Sequence, residues 1–215
     1  MHLEYPSNKL QELMSIAGLR MDVFLVIAAS NRMIVAYHIG DMETALRMEE
    51  RSKDFTTVNG AAVFVIHHSF YAALTCLTVL RDNLALSKPL RKKLLAQART
   101  HLKYLQKRCK YNPKTIESKQ LLIEAEFEAL NGKMYPALAK YAKAQELAKR
   151  EESLDVQALA CERASITIHE GRGNEAQKFF LIQLSIELYA AWGAKTKVQL
   201  MKGLLDDWNS LTKYK

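Results

Sequence analysis

A spacing of small and aromatic residues in the second half of the chain constrains the fold most strongly. Gly132 is followed five residues later by Ala137, with Tyr141 and Ala144 at four and seven residues beyond that alanine. On an α-helix these three positions share one face. Alanine lets two helices approach closely, and the aromatic ring fills the groove beside it. The spacing therefore predicts a helical hairpin that turns at Gly132.

The same spacing recurs 39 residues further along the chain. Gly171, Ala176 and Phe180 repeat it, with the turn at Gly171 or Gly173, although Gln183 stands where a second alanine is expected. A period of this length is typical of solenoids built from helix-turn-helix units. The second half of the chain is thus predicted to contain two consecutive helical hairpins.

Composition supports an all-helical chain. There are only 8 glycines and 4 prolines in 215 residues, and Ala, Leu, Lys, Glu and Met are frequent. This balance favours helices over short strands separated by turns. The length fits one domain over residues 1–215. We therefore predict an all-α solenoid of helical hairpins with about nine to ten helices.

Caps, prolines and apolar periodicity predict where the helices lie. Asp41, Ser87, Asn112, Ser153 and Asn174 are the expected N-caps, and Ser7 can cap the first short helix. The predicted helices cover residues 7–17, 21–38, 61–80, 89–109, 113–130, 134–149, 154–170, 175–192 and 194–211, with a further helix after Asp41. The nearly continuous apolar segment 61–80 is predicted to be a buried inner helix, since it is too long for a strand.

The N-terminal hairpins are predicted to be degenerate. Gly40 and Ala45 repeat the start of the spacing, but Glu49 follows where an aromatic residue is expected. The best-matched repeats therefore lie in residues 112–205, and the degenerate hairpins in residues 7–111.

Cysteine usage and hydropathy suggest a compartment. Cys76, Cys109 and Cys161 are odd in number and widely spaced, which favours reduced thiols over a disulfide framework. The N-terminal segment lacks the pattern of a secretory signal. The longest apolar run, residues 23–29, is about a third of the length that a bilayer requires. These features predict a cytoplasmic chain without a membrane span.

Candidate chemical motifs are weak. His67 and His68 are adjacent, so on a helix they point about 100° apart and do not readily bind one metal ion. Gly171-Arg172-Gly173 lacks the spacing of a phosphate-binding loop and reads as a hairpin turn. No arrangement of nucleophile, base and acid is recognisable. We predict no catalytic residue, no metal site and no cofactor.

The least usual feature is a block of positive charge. Residues 83–116 contain no Asp or Glu. They carry ten cations: Lys88, Arg91, Lys92, Lys93, Arg99, Lys103, Lys107, Arg108, Lys110 and Lys114. Two interpretations stay open, a solvated or protein-facing surface, which is favoured, and an anion-binding face. The second would use Arg91, Lys92, Arg99, Lys103 and Lys107. A stripe formed by Glu117, Glu124 and Glu128 is positioned to neutralise part of the block.

The second half of the chain resembles a known family over residues 112–205. The match rests on Leu122, Glu124, Ala125, Glu126, Gly132, Lys133, Ala137, Tyr141, Ala144, Leu147, Ala158, Leu159, Ala160, Glu162, Gly171, Ala176, Leu188, Tyr189, Trp192, Gly193, Ala194, Lys197 and Val198. These residues resemble the tetratricopeptide-like helical region of multidomain sensor histidine kinases. In that family a serine/threonine-kinase-like domain and an AAA-type ATPase module precede the region, and a GAF domain and a histidine kinase follow it.

The resemblance implies a right-handed tetratricopeptide-like solenoid that works as a non-enzymatic connector and protein-binding scaffold in signal transduction. None of the family's catalytic motifs lies in the matched residues. The implied partner is a protein or a neighbouring domain of a longer signalling chain. The alternative is a helical domain that binds nucleic acid or an anionic surface through residues 88–114. An enzyme is a third hypothesis, and it would require a pocket of convergent polar groups.

Overall fold

The computed structural model describes residues 21–52 and 62–212, and every regular element in these two ranges is an α-helix. The helices are α1 (Met21–His38), α2 (Met42–Arg51), α3 (Ala62–Asp82), α4 (Lys88–Cys109), α5 (Pro113–Leu130), α6 (Met134–Arg150), α7 (Leu154–Glu170), α8 (Glu175–Trp192) and α9 (Lys195–Thr212). The prediction of an all-α chain is confirmed for these residues. The helix predicted at 7–17 lies outside the described ranges.

Of the five N-caps predicted in these ranges, three are confirmed. The side chains of Asp41, Ser87 and Asn174 each accept a hydrogen bond from the backbone N–H three residues on, at 2.9, 3.4 and 2.9 Å. Asn112 and Ser153 make no such bond. The Ser153 hydroxyl instead donates to the carboxylate two residues on, at 2.6 Å. A charged acceptor competes successfully with capping because bonds to ionised groups are stronger.

The chain divides into two compact units, Met1–His68 and Ser69–Lys215, with the boundary inside α3. The single domain over residues 1–215 stays a prediction. In the first unit α1 and α2 pack against each other across a turn at Gly40, where φ is 81°. Met33 and Met48 are buried in this unit. The unit therefore contains the helical hairpin that the sequence predicted as degenerate.

In the second unit the helices pack largely in chain order. Helix α5 contacts α4 and α6, and α8 contacts α7 and α9. Helix α7 is largely enclosed, since it packs against α5, α6 and α8 and has twelve of its 17 residues buried. Its centre carries small side chains, among them Ala158, Ala160 and Ala164, which allow close approach from several directions. Helix α7 thus lies in the core of the second unit, as do the buried residues 70–80 of α3.

Helix α3 has the length and composition of a membrane span. Within the described residues, the stretch Phe64–Asp82 is apolar enough to cross a bilayer, and 72% of it is buried. A core helix of a folded protein passes the same test. Its burial confirms the prediction of a buried inner helix, whereas the absence of a membrane span stays a prediction.

The second repeat has a different period from the predicted one. Helices α7 and α8 begin 41 residues after α5 and α6, not 39. A shift of two residues turns a helix by about 200°, so it moves side chains to the opposite face. Ala176 and Phe180 are therefore exposed, with Phe180 at 66%, and their predicted role in the hairpin interface is wrong.

The buried stripe of α8 lies at other positions. In α6 the buried residues are Ala137, Tyr141, Ala144 and Ala148. At the same spacing and 41 residues later, α8 buries Lys178, Ile182, Ser185 and Tyr189. These four buried positions of α6 and α8 thus correspond at an offset of 41 residues, but they carry different side chains. Trp192, which precedes the helix-ending Gly193, is 42% exposed.

The two hairpin turns use glycine differently. Gly132 has a φ of 72°, in the left-handed region that favours glycine. In the second hairpin that region is occupied by Arg172, with a φ of 51°, while Gly171 has a φ of −79°. At Gly171 the space is limited instead, because a Cβ there would lie 2.6 Å from Sδ of Met134 and 3.1 Å from the carbonyl oxygen of Thr167. Gly132 therefore permits a left-handed backbone conformation, whereas Gly171 permits close packing against Met134.

Substituting these two glycines with alanine should separate the two roles. We expect Gly132→Ala to destabilise the fold by about 1–2 kcal/mol through backbone strain alone, since an added Cβ would meet nothing within 4 Å. Gly171→Ala should destabilise it through steric overlap with Met134. Urea unfolding followed by circular dichroism measures both.

The Met134→Ala substitution provides the control. When Met134→Ala is added to Gly171→Ala, the free energy of unfolding should fall by less than it does when Met134→Ala is made in the native chain, because the overlapping side chain is removed. When Met134→Ala is added to Gly132→Ala, the free energy of unfolding should fall by the same amount as in the native chain. Additive costs in both pairs would contradict the close-packing role of Gly171.

Candidate functional site

Helix α4 carries cations along the side opposite to its buried residues. The buried side consists of Leu94, Ala98, His101 and Leu105. At about 100° per residue, six exposed cations fall on the opposite side within an arc of about 100°. We call this set the α4 cation row: Lys88, Lys92, Arg99, Lys103, Lys107 and Lys110.

Four of the five predicted anion-binding residues belong to the row. Arg91 does not, because it is half-buried and its Nη1 donates a hydrogen bond to the carbonyl oxygen of Leu80 at 3.3 Å. The prediction also omitted Lys88 and Lys110, which the helical spacing places in line with the other four. The periodicity that identified the buried side of α4 was the signal that could have found them.

In the part of the chain that the structure describes, the glutamates of α5 form no ion pair with the row. Glu124 and Glu128 instead pair with Lys140 of α6, at 3.4 and 3.3 Å. Glu128 also pairs with Lys133 at 3.4 Å, and the hydrogen bond from Lys140 lowers its carboxyl pKa. Across residues 21–52 and 62–212, no member of the α4 cation row forms an ion pair. The charge of the row is therefore directed to solvent or to a bound partner.

A groove lies at the C-terminal end of the row. It has a volume of about 540 Å³ and is lined by Lys103, Gln106, Lys107, Cys109, Lys110 and Gln120. The amides of Gln106 and Gln120 both donate to Oε1 of Glu124, at 3.1 and 2.9 Å. Burial raises the pKa of the Cys109 thiol, so it is protonated at neutral pH. The groove thus offers three ammonium groups, with the carboxylates of Glu117, Glu124 and Glu151 close enough to act on the Cys109 thiol.

A second arrangement of charge is buried inside the second unit. The Glu126 cluster consists of Glu126 of α5 with Arg81 of α3, Tyr141 of α6 and Arg163 of α7. Oε1 of Glu126 accepts from the Tyr141 hydroxyl at 2.5 Å and from Nε of Arg163 at 2.8 Å. Oε2 accepts from Nη2 of Arg163 at 2.9 Å and from Nη1 of Arg81 at 3.0 Å. The carboxylate therefore has four donors, its full complement.

The cluster keeps Glu126 ionised. Burial acts to raise the pKa of this carboxyl, but Arg163 and Arg81 outweigh it and lower the pKa to about 2. Burial and the adjacent carboxylate raise the pKa of Tyr141 well above its usual range. Arg81 reaches further along α7, since Nη2 also donates to Oγ1 of Thr167 at 3.1 Å. Four helices are thereby joined through one carboxylate.

The Glu162 cluster repeats this arrangement in the next hairpin. Glu162 of α7 accepts from the hydroxyl of Tyr189 in α8 at 2.6 Å and from Nζ of Lys197 in α9 at 2.8 Å. Burial acts to raise its pKa, and Lys197 lowers it below the usual value. Nζ of Lys197 also lies 5.6 Å from the centre of the Tyr189 ring. A carboxylate, a tyrosine and a cation thus join three consecutive helices.

Sequence reasoning found only part of the two clusters. Glu126, Tyr141, Glu162, Tyr189 and Lys197 are among the residues that carried the family resemblance. Arg81 and Arg163 were not singled out. The available signal was a charged residue inside a helix that is otherwise apolar, because such a charge requires a buried partner.

The adjacent histidines His67 and His68 lie in α3. His68 is buried, and its Nδ1 lies 3.1 Å from Oγ of Ser30 in the first unit. Within the described part of the chain, no three His, Cys, Asp or Glu side chains are grouped as metal ligands.

Comparison of the chain with protein-family models, curated proteins and solved structures finds no match. The relationship to sensor histidine kinases therefore stays a prediction.

Proposed function

We propose that the chain is a non-enzymatic, cytoplasmic protein-binding scaffold, the helical connector of a multidomain signal-transduction kinase. We further propose that α5–α6 and α7–α8 are hairpins of a right-handed tetratricopeptide-like solenoid. The 41-residue offset between the hairpins and the packing of neighbouring helices in chain order support this arrangement. The family resemblance supports the signalling context.

The proposal rests on the solvent-exposed side of α8. Apart from Gln183 and Glu187, this helix is apolar on nearly every side, and a helix of this composition is expected to be covered on two faces. Its buried residues are confined to Lys178, Ile182, Ser185, Ile186 and Tyr189. We call the exposed positions Ala176, Phe180, Gln183 and Glu187 the Phe180 face. An aromatic side chain that is 66% exposed on an apolar helix is suited to a protein partner.

The two buried clusters support a scaffold rather than a reaction. Glu126 has all its acceptor positions filled, and its lowered pKa keeps it ionised at neutral pH. A general acid or base requires a pKa near the working pH and access to a substrate. The clusters instead hold successive helices at fixed positions, which a rigid binding surface needs.

A photo-crosslinker at position 180 tests the proposal. With p-benzoylphenylalanine in place of Phe180, we expect the full chain to crosslink in its native cells to one protein. The matched control carries the same label in place of Tyr111, an aromatic residue between α4 and α5 that is 80% exposed. The control should not capture that protein. The captured protein is then purified, and its affinity for the chain is measured.

Phe180→Ser should weaken this binding at least about 10-fold, as expected for loss of an aromatic anchor. Tyr111→Ser removes another exposed aromatic ring and should leave the affinity unchanged. Equal affinities for native chain and Phe180→Ser, or no crosslink above the control, would rule out the Phe180 face as the binding surface. A kinase or ATPase module encoded next to this chain would support the connector role.

A further inference from the structure

We infer that the α4 cation row binds the phosphate backbone of double-stranded nucleic acid. This surface is on α4 and is independent of the Phe180 face. At a rise of about 1.5 Å per residue, the row from Lys88 to Lys110 is about 33 Å long. A duplex carries about one negative charge per 1.7 Å of axis over its whole circumference, so the side that faces a row of this length presents several phosphates.

The charge distribution of the whole chain favours a polyanion. The net charge is +8, and residues 83–116 alone supply ten cations. The remaining residues carry 21 cations against 23 carboxylates, so they are slightly acidic. All of the excess positive charge is thus concentrated on and beside α4. A row without ion pairs keeps its full attraction for an anion.

The side chains within the row favour a duplex over a single strand. Single-strand binding usually adds aromatic rings on which bases stack. Tyr104 is half-buried and its ring is covered by Arg108, whose guanidinium carbon lies 5.2 Å from the ring centre. Tyr111, which follows Lys110, is 80% exposed, but it is a single ring at the end of the row. The exposed residues between the cations include Ala96 and Thr100, which are small. A backbone of phosphates can approach such a surface closely without base contacts.

The same residues argue against a membrane surface. A helix that binds a bilayer combines cations with an apolar face that enters the acyl region. The apolar residues Leu94, Ala98 and Leu105 point into the core of the second unit instead. At the C-terminal end, Lys103, Lys107 and Lys110 line the shallow groove of about 540 Å³, so the row continues along its edge.

The test measures binding of the full chain to a labelled 20-base-pair DNA and to an RNA duplex of the same sequence, by fluorescence anisotropy between 50 and 200 mM salt. Five to six phosphate contacts predict a slope of log K against log salt of about −5. The row variant replaces four exposed members by glutamine: Lys92→Gln, Arg99→Gln, Lys103→Gln and Lys107→Gln. We expect it to bind at least about 100-fold more weakly, with a slope near −2.

The control variant removes the same charge elsewhere on the second unit, again from three lysines and one arginine. It combines Lys149→Gln, Arg172→Gln, Lys195→Gln and Lys202→Gln, all at exposed positions. Its affinity should remain within about threefold of the native chain at low salt. Circular dichroism confirms that both variants are folded, and the DNA and RNA arms show which duplex is preferred.

Three results would overturn the inference. Equal losses in the two variants would mean that binding follows net charge and not the row. No binding at 50 mM salt would exclude a phosphate-binding role. Tighter, row-dependent binding to phosphatidylserine vesicles or to polyglutamate than to either duplex would assign the row to a membrane or to an acidic protein.

Discussion

Replacing Glu126 by glutamine is expected to destabilise the second unit by about 3–5 kcal/mol. The substitution preserves the shape of the side chain and removes one charge. It leaves the guanidiniums of Arg81 and Arg163, with side chains only 3% and 4% exposed, without this carboxylate, although Arg81 keeps an ion pair with Glu170, whose side chain is 47% exposed. A buried charge that loses its partner is far more costly than a lost surface pair, which is why the effect should be large.

Tryptophan fluorescence during urea unfolding measures this loss in the relevant unit. Both tryptophans of the chain, Trp192 and Trp208, lie in α8 and α9. Trp208 is buried and stacks on His169 with ring centres 4.6 Å apart, so its signal depends on packing. The unfolding midpoint of Glu126→Gln should fall well below that of the native chain.

Glu124→Gln is the matched control. It makes the same chemical change on the same helix, but the ion pair with Lys140 is partly exposed, with side chains 20% and 32% accessible. We expect a loss of no more than about 1 kcal/mol. Comparable losses for the two variants would show that the Glu126 cluster does not hold the helices together.

Acid is expected to destabilise the second unit between about pH 4.5 and pH 2. The pKa of Glu126 is about 2 in the folded chain, against 4.5 for an ordinary glutamate. Because the folded pKa is the lower one, the stabilisation is fully present above pH 4.5. It is lost as the pH falls through the folded pKa. A difference of about 2.5 units corresponds to about 3 kcal/mol. The lowered pKa of Glu162 adds to the loss in the same direction.

Urea unfolding at pH 7, 4 and 3 checks this dependence. The free energy of unfolding should fall from pH 7 to pH 3 in the native chain. It should fall less in Glu126→Gln, which has no carboxyl to protonate at this position, so the gap between the two proteins should narrow. A constant gap across the three pH values would mean that Glu126 has an ordinary pKa in the folded chain.

The sequence alone determined the helices and many of their ends. Asp41, Ser87 and Asn174 were predicted as N-caps, and the structure shows the hydrogen bond at each. These signals are local, because a cap involves residues three apart and a helical face involves residues within two turns. The α4 cation row was partly predictable for the same reason, since its members follow helical spacing.

Only the tertiary structure decided which face of each helix meets a neighbour. In α8 the side chains of Ala176 and Phe180, which were predicted to lie in the hairpin interface, are exposed. The side chains of Lys178 and Tyr189 are buried instead. The α8 sequence is apolar on most sides, so it does not specify its rotation, and a two-residue change in the repeat was enough to reverse the face.

The buried charges also required the tertiary structure. Arg81 and Arg163 meet Glu126 from positions 45 and 37 residues away along the chain. Their spacing follows no local period, because it depends on how α3, α5 and α7 pack. Short-range hydrogen bonds and periodicity thus placed the helices of this protein, whereas packing between distant segments decided which charges are buried together and which remain on the surface.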